Sequence, residues 1–255
     1  MSDAPQVETP KHFKGKDAIG HVAEAQAQGI LSAAEIHGTE MSGHMGAGTD
    51  AARETALVLL LLWVSLVHLT DSFQQIFVIL AIFSVGWLIW KIGRSAWLAW
   101  SHLERMHRIV DQERWEIEHH RQQERDELRV LYATKGFEGK LLEDVLDVLM
   151  ADNERLLRVM VEEELGLSLE KYEHPLKQSL GAAIGTCCAI AVCLAAFFIY
   201  PSLGLMAAAL IALGVAAGIA AYFEQNRLIP AIIWNIGLAI LAFGVVYFLF
   251  EYFFK

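Results

Sequence analysis

Three sets of residues in this 255-residue chain are spaced for metal chemistry: Glu113 with Glu116, Glu124 with Glu127, and Glu164 four residues after Met160. Residues three or four apart share one face of a helix, so each set can present two ligands to one ion. Carboxylates at close range repel one another and raise each other's pKa unless a divalent cation or a nearby arginine neutralises them. A metal resolves that conflict. Oxygen ligands suit hard or borderline ions such as Fe2+ and Mn2+, and a thioether beside them shifts preference toward softer transition metals over Mg2+ or Ca2+. Spacing alone leaves a second reading open, a solvated face on which Arg114, Arg121, Arg125 and Arg129 make i,i+4 ion pairs. His119 and His120 follow directly. Glu116 to His119 forms an ExxH motif of the kind used in di-iron carboxylate bundles, where a full site needs two such motifs on separate helices. A second copy of the chain could supply the other. Both histidines are therefore either auxiliary ligands or exposed helix residues.

The elements that must position these residues are helices, and most of them are membrane spans. The sequence is 55% hydrophobic with a mean hydropathy of +0.38, and the excess is concentrated in five apolar runs at about 55–70, 73–90, 178–199, 203–223 and 230–250. A span needs roughly 20 residues, so the first run is short and has to borrow from the Gly/Ala-rich stretch between Met45 and Ala52. The opening residues MSDAPQVETPKHFKG hold no apolar stretch, and the first span itself is expected to direct insertion. Basic residues collect in the N-terminal arm (Lys11, Lys14, Lys16), between Lys91 and Lys177, and at Arg227. Five spans put all three groups on one side, which the positive-inside rule makes cytoplasmic, and leave the turns at Thr70–Ser72 and Tyr200–Pro201 outside. Lys255 is the exception. The small-residue pairs Gly181/Gly185 and Gly214/Gly218 suggest close helix packing. Cys187, Cys188 and Cys193 all fall in one apolar run, without metal-ligand or disulfide spacing, and read as packing residues.

Between Ser101 and Lys177 lie 19 of the 30 acidic residues against 12 of the 20 basic ones, so most of the net charge of −10 sits there. Such acidity excludes nucleic acid as a partner and attracts cations. After Trp90 the helical pattern continues, and from Ser95 to His120 it meets neither Gly nor Pro. Three further helices are expected at roughly 122–135, 138–150 and 152–165, with Lys135-Gly136 and Ala151-Asp152-Asn153 as breaks. Leu141, Leu142, Val145, Leu146, Val148 and Leu149, then Leu156, Leu157 and Met160, recur at helical spacing and give this segment a core. The fold class that follows is an all-α integral membrane protein: five transmembrane helices with a cytoplasmic helical metal-binding domain inserted between helices 2 and 3. Its expected divisions are an N-terminal arm at 1–50, helices 1 and 2 at 51–100, the metal-binding domain at 101–177, and helices 3 to 5 at 178–255.

The stretch from Glu113 to Ser168 resembles the vacuolar iron transporter family, the iron and manganese carriers of the yeast vacuolar and plant nodulin-like type. The shared pattern is the two glutamate pairs eleven residues apart, Leu131-Tyr132, the Lys135-Gly136 turn, and a Met-bearing helix ending in Glu164-Leu-Gly-Leu, followed by three apolar spans. The resemblance covers roughly 90–255. It implies a transporter rather than an enzyme, a homodimer that collects Fe2+ (or Mn2+ or Zn2+) on cytoplasmic helices and exchanges it for protons, with no organic cofactor. Glu113, Glu116, Glu124, Glu127, Met160 and Glu164 match the family's cytoplasmic ligands. Val161 stands where the family often has a second methionine.

The first two spans depart from the family. Its Asp-Gly-Leu and Pro-Phe-Ala motifs are absent, and ungapped counting puts its second-span positions near Phe83 and Lys91 and its first-span acid near Glu54. Only Glu54 keeps its chemistry, as a pathway carboxylate or as an interfacial partner of Arg53. Lys91 opposes cation entry unless it snorkels to the cytoplasmic surface. In the N-terminal arm, His12, His21, His37 and His44 stand either on an amphipathic surface helix or as supplementary ligands. Two competing functions follow from these features: a membrane-tethered metal-binding or sensing protein without transport, and a membrane-anchored di-iron oxidase.

Overall fold

In the computed structural model, residues 42–164 and 174–254 are described, and all regular structure among them is helical. The expectations for the N-terminal arm up to residue 41, and for the side chain of Glu164, lie outside the described residues. Contacts divide the chain into two compact units. Among the described residues, one holds those up to His102 and those from His174 onward, the other those from Leu103 to Glu164.

The first unit contains the apolar helices. α1 spans Gly43–Leu69, α2 spans Phe73–His119, α6 spans Pro175–Ile199, α7 spans Gly204–Phe223 and α8 spans Leu228–Phe254. All five are long and apolar enough to cross a membrane. At 27 residues α1 reaches about 40 Å, because the Gly/Ala-rich stretch before Glu54 joins the helix as its short apolar run requires. α2 is one uninterrupted helix of 47 residues. His174 caps α6 by accepting from the Leu176 amide at 3.2 Å, with Pro175 in the first turn, where a missing N–H costs nothing.

Glycine sets the packing of this unit at one contact. A Cβ on Gly181 would stand 1.9 Å from the His44 carbonyl oxygen, and one on Gly185 at the same distance from the Gly48 carbonyl. The backbones of α1 and α6 therefore touch, as the small-residue spacing predicts. Gly214 and Gly218 make the gentler version, receiving Ile236 and Ile232 of α8 at 3.3 and 3.4 Å. Leu59, Leu60, Trp63, Leu80, Phe197 and Leu205 fill the core between the helices. α8 leaves Ile233, Trp234 and Phe248 uncovered, an outer surface suited to hydrocarbon.

The second unit is built from the last turns of α2, then α3 (Arg121–Thr134), α4 (Gly139–Met150), α5 (Asn153–Val159) and a π-helical turn at Met160–Glu164. His120 breaks the chain between α2 and α3 with φ −125° and ψ 30°, while its carbonyl accepts from the Gln123 amide at 2.8 Å and starts the next helix. Gly136 turns the chain after α3 at φ +92°, a left-handed conformation that glycine adopts without steric cost. Asp152 caps α5, accepting from the Glu154 and Arg155 amides at 2.9 and 3.1 Å, and these bonds hold its carboxyl below the usual range. Ile117, Leu128, Leu131, Leu142, Leu146, Leu156, Leu157, Met160 and Val161 form the core.

Two expectations are corrected in this unit. Leu141 and Val148 are 59% and 58% exposed: the buried line of α4 runs Leu142, Leu146, Met150, and these two flank it. The single helix expected at 152–165 is instead the short α5 followed by the π turn, where the wider helical repeat rotates the residues after Val159 relative to an α-helix.

Candidate metal centre

The site forms where α2 ends. Glu113 and Glu116 occupy its last turns, one turn apart on one face, and the break at His120 starts α3 so that Glu124 falls in that helix's first turn. Each of the three can offer one carboxylate oxygen such that all of these atoms lie within 4.8 Å of one another. An ion bound at about 2.0 to 2.4 Å holds opposed oxygens no more than roughly 4.8 Å apart, so the trio needs little movement to share one cation. Glu113 and Glu124 are buried, Glu116 partly so. Three carboxylates this close and this shielded from water cannot all carry charge cheaply without a counter-cation.

Glu127 lies one turn beyond Glu124 and is also buried, though outside the trio. Met160 is fully buried in the core of the same unit and begins the π turn. Glu163, on that turn, is tied to the end of α3: the Tyr132 hydroxyl donates to it at 3.2 Å and the Lys135 ammonium pairs with it. Burial and the neighbouring carboxylate push the Tyr132 phenol up to about 12, so it remains a donor.

The arginines serve other partners. Arg125 bonds Glu143 and Asp147 on α4 at 3.0 and 2.6 Å, Arg129 bonds Glu143 and Asp126 at 3.1 and 2.9 Å, Arg114 pairs with Glu154 at 3.5 Å, and Arg121 reaches Asn153 at 2.6 Å. These are mostly clips between helices rather than the i,i+4 pairs that a solvated face would carry. Arg129 and Arg125 together hold the Glu143 carboxyl below the ordinary glutamate value.

His119 is exposed, its Nδ1 hydrogen-bonded to the Trp115 carbonyl at 2.8 Å and its ring stacked on the Trp115 indole at 4.5 Å. His120 occupies the break, edge-on to the same indole. Neither belongs to the trio, so the ExxH spacing does not deliver an imidazole to it.

In the other unit, Glu54 takes a partner that the sequence did not suggest. Lys91 Nζ lies 2.8 Å from Glu54 Oε2, whereas Arg53 pairs with Asp50. Lys91 is 4% exposed and so does not snorkel into water. Alongside, the Trp87 indole N–H donates to Thr55 Oγ1 at 3.0 Å. A further pair joins α1 to α8, His68 with Glu251 at 3.9 Å. Sequence reasoning passed over both residues, and the only signal was an ionisable group near the end of each of two apolar runs.

No curated protein matches the chain. The VIT family model matches residues 97–251, which is more than half of the chain. The match takes in both glutamate pairs, Met160 and the last three apolar helices, and begins after α1 and the first half of α2, where the departures from the family pattern fall. The chain accordingly belongs to the VIT family, the vacuolar iron transporter family that its glutamate and methionine pattern resembles.

Proposed function

We propose that this protein carries a divalent transition-metal ion across a membrane, Fe2+ first and Mn2+ second, in exchange for protons. Members of its family are metal-ion transporters rather than enzymes, and the observation that carries the reading to this chain is the trio Glu113, Glu116 and Glu124 inside the matched region. Hard oxygen ligands with the Met160 thioether in the same unit favour a borderline ion over Mg2+. Glu127 and Glu164 complete the collecting site in this reading.

The collecting domain, residues 101–177, and the N-terminal arm, 1–50, are assigned to the cytoplasm on the distribution of Lys and Arg, with the spans at 51–100 and 178–255 and the Thr70–Ser72 turn outside. A homodimer is the working assembly. The tethered-sensor alternative draws on the unmatched first spans, but membership of a transporter family does not favour it.

The test is flux into proteoliposomes with Fe2+, Mn2+ and Zn2+, with and without an imposed pH gradient. Uptake that rises with an opposed proton gradient is expected. Metal binding without flux in any of these conditions overturns the transport reading and leaves a binding protein.

A further inference from the structure

Gln123 lies in the first turn of α3, and its side-chain Oε1 is shut away from water without receiving a hydrogen bond. A carbonyl oxygen buried without a donor is costly, and native folds seldom leave one. Gln123 shares the inward side of α3 with Glu124, Glu127 and Leu128, all buried, with Glu124 adjoining it and Glu127 one turn on. Ionised carboxylates only accept, so these glutamates supply no donor to the amide oxygen. The nearest arginines on the helix are spent elsewhere. Arg121 donates to Asn153 and to the Met150 carbonyl, and Arg125 bonds Glu143 and Asp147. What this side of α3 lacks is a cation. Glu113, Glu116 and Glu124, whose oxygens come within 4.8 Å of one another, already bring three negative charges to an ion of charge +2. A further ligand that adds an oxygen without adding charge is therefore the one that costs the metal-free protein least. Side-chain amide oxygens are ordinary ligands of hard and borderline divalent ions.

We propose that the Gln123 side-chain oxygen is an uncharged fourth ligand of the ion held by Glu113, Glu116 and Glu124. The assignment rests on the trio holding an ion and goes beyond it in naming a ligand that no carboxylate or histidine pattern marks. An all-oxygen set at this end of the site suits Mn2+ and Fe2+ better than softer ions. Gln122, the exposed neighbour of the same chemistry, has no part in it.

The experiment titrates Mn2+ into the full chain in lipid nanodiscs, following free Mn2+ by its electron paramagnetic resonance signal, beside thermal unfolding in detergent with chelator. Gln123→Leu is expected to weaken Mn2+ binding about tenfold, through loss of one ligand. Its metal-free Tm should equal or exceed that of wild type, because an oxygen without a donor has been removed. Gln123→Glu should do the opposite on both counts, tightening Mn2+ binding and lowering the metal-free Tm, because it adds a charge to the cluster. That variant keeps the test decisive if Gln123→Leu fails to fold. Gln122→Leu should change neither quantity. Unchanged affinity in Gln123→Leu, or a Gln123→Glu that binds no tighter, overturns the assignment. So does a metal-free Tm that falls in Gln123→Leu while affinity is kept, the amide then being turned over to donate to the glutamates as a structural clip. Glu124→Gln separates the two readings. Mn2+ binding weakened by Glu124→Gln and untouched by Gln123→Leu sinks this ligand alone, whereas binding indifferent to Glu124→Gln sinks the collecting site and the ligand with it.

Discussion

Replacing Glu124 by Gln removes one charge from three carboxylates whose oxygens come within 4.8 Å of one another. At that distance, and with an effective dielectric constant near 20, each charged pair costs roughly 3 kcal/mol. Glu124 is fully buried and Glu113 nearly so, which keeps this repulsion from being lost to solvent. Other contacts of these carboxylates within the folded chain offset part of it, so the expected gain in metal-free stability is about 1 to 3 kcal/mol. Metal inverts the outcome. At a Mn2+ concentration 100 times the wild-type Kd, binding stabilises the wild type by about 2.7 kcal/mol, and a variant with roughly hundredfold weaker binding gains only about 0.4 kcal/mol. Thermal unfolding in detergent, with chelator and with Mn2+, reads both effects. Glu124→Gln should melt above wild type in chelator and below it in saturating metal. A variant that melts lower in chelator and keeps the full metal-induced shift refutes the reasoning, since the cluster would then be structural.

Three other outcomes follow from single contacts. Glu143 is clipped by Arg125 and Arg129 and its folded pKa is depressed, so the clip adds stability above the unfolded value and loses it as pH falls through the folded one; Glu143→Gln should therefore lower Tm at pH 7 and match wild type in strong acid. Gly185→Ala places a methyl group against the Gly48 carbonyl and should cost about 1 to 3 kcal/mol or block folding, while Gly93→Ala, which meets nothing within 4 Å, should be tolerated in the same melting assay. Breaking the Lys91–Glu54 pair should be asymmetric: Glu54→Gln strands an ammonium 5% exposed, whereas Lys91→Met leaves a carboxylate that is 47% exposed and can reach water. A double-mutant cycle in which Lys91→Met is the costlier single change contradicts that ordering.

The five spans were legible because each apolar run exceeds what a soluble helix needs, and the one short run pointed to where its extra residues lay. The glutamate trio was legible in part, since spacing puts Glu113 beside Glu116 on a helix face. Bringing Glu124 to them depended on the break at His120, which carries neither Gly nor Pro. Partners of the ionisable residues in the spans were not legible. Arg53 adjoins Glu54 in sequence, but adjacent residues point away from each other on a helix, and Lys91 comes from another helix 37 positions on. His68 and Glu251 lie in the first and last spans, where no local pattern connects them. The exposure of Leu141 and Val148 was missed because helical spacing marks a stripe without fixing its width.

The central claim, that Glu113, Glu116 and Glu124 collect the ion the protein transports, is tested most directly by Fe2+ uptake into proteoliposomes across a pH gradient, wild type against Glu113→Ala with Glu116→Ala. Uptake should collapse in the double variant while the folded protein is still recovered in the bilayer. Undiminished uptake without these two carboxylates contradicts the account.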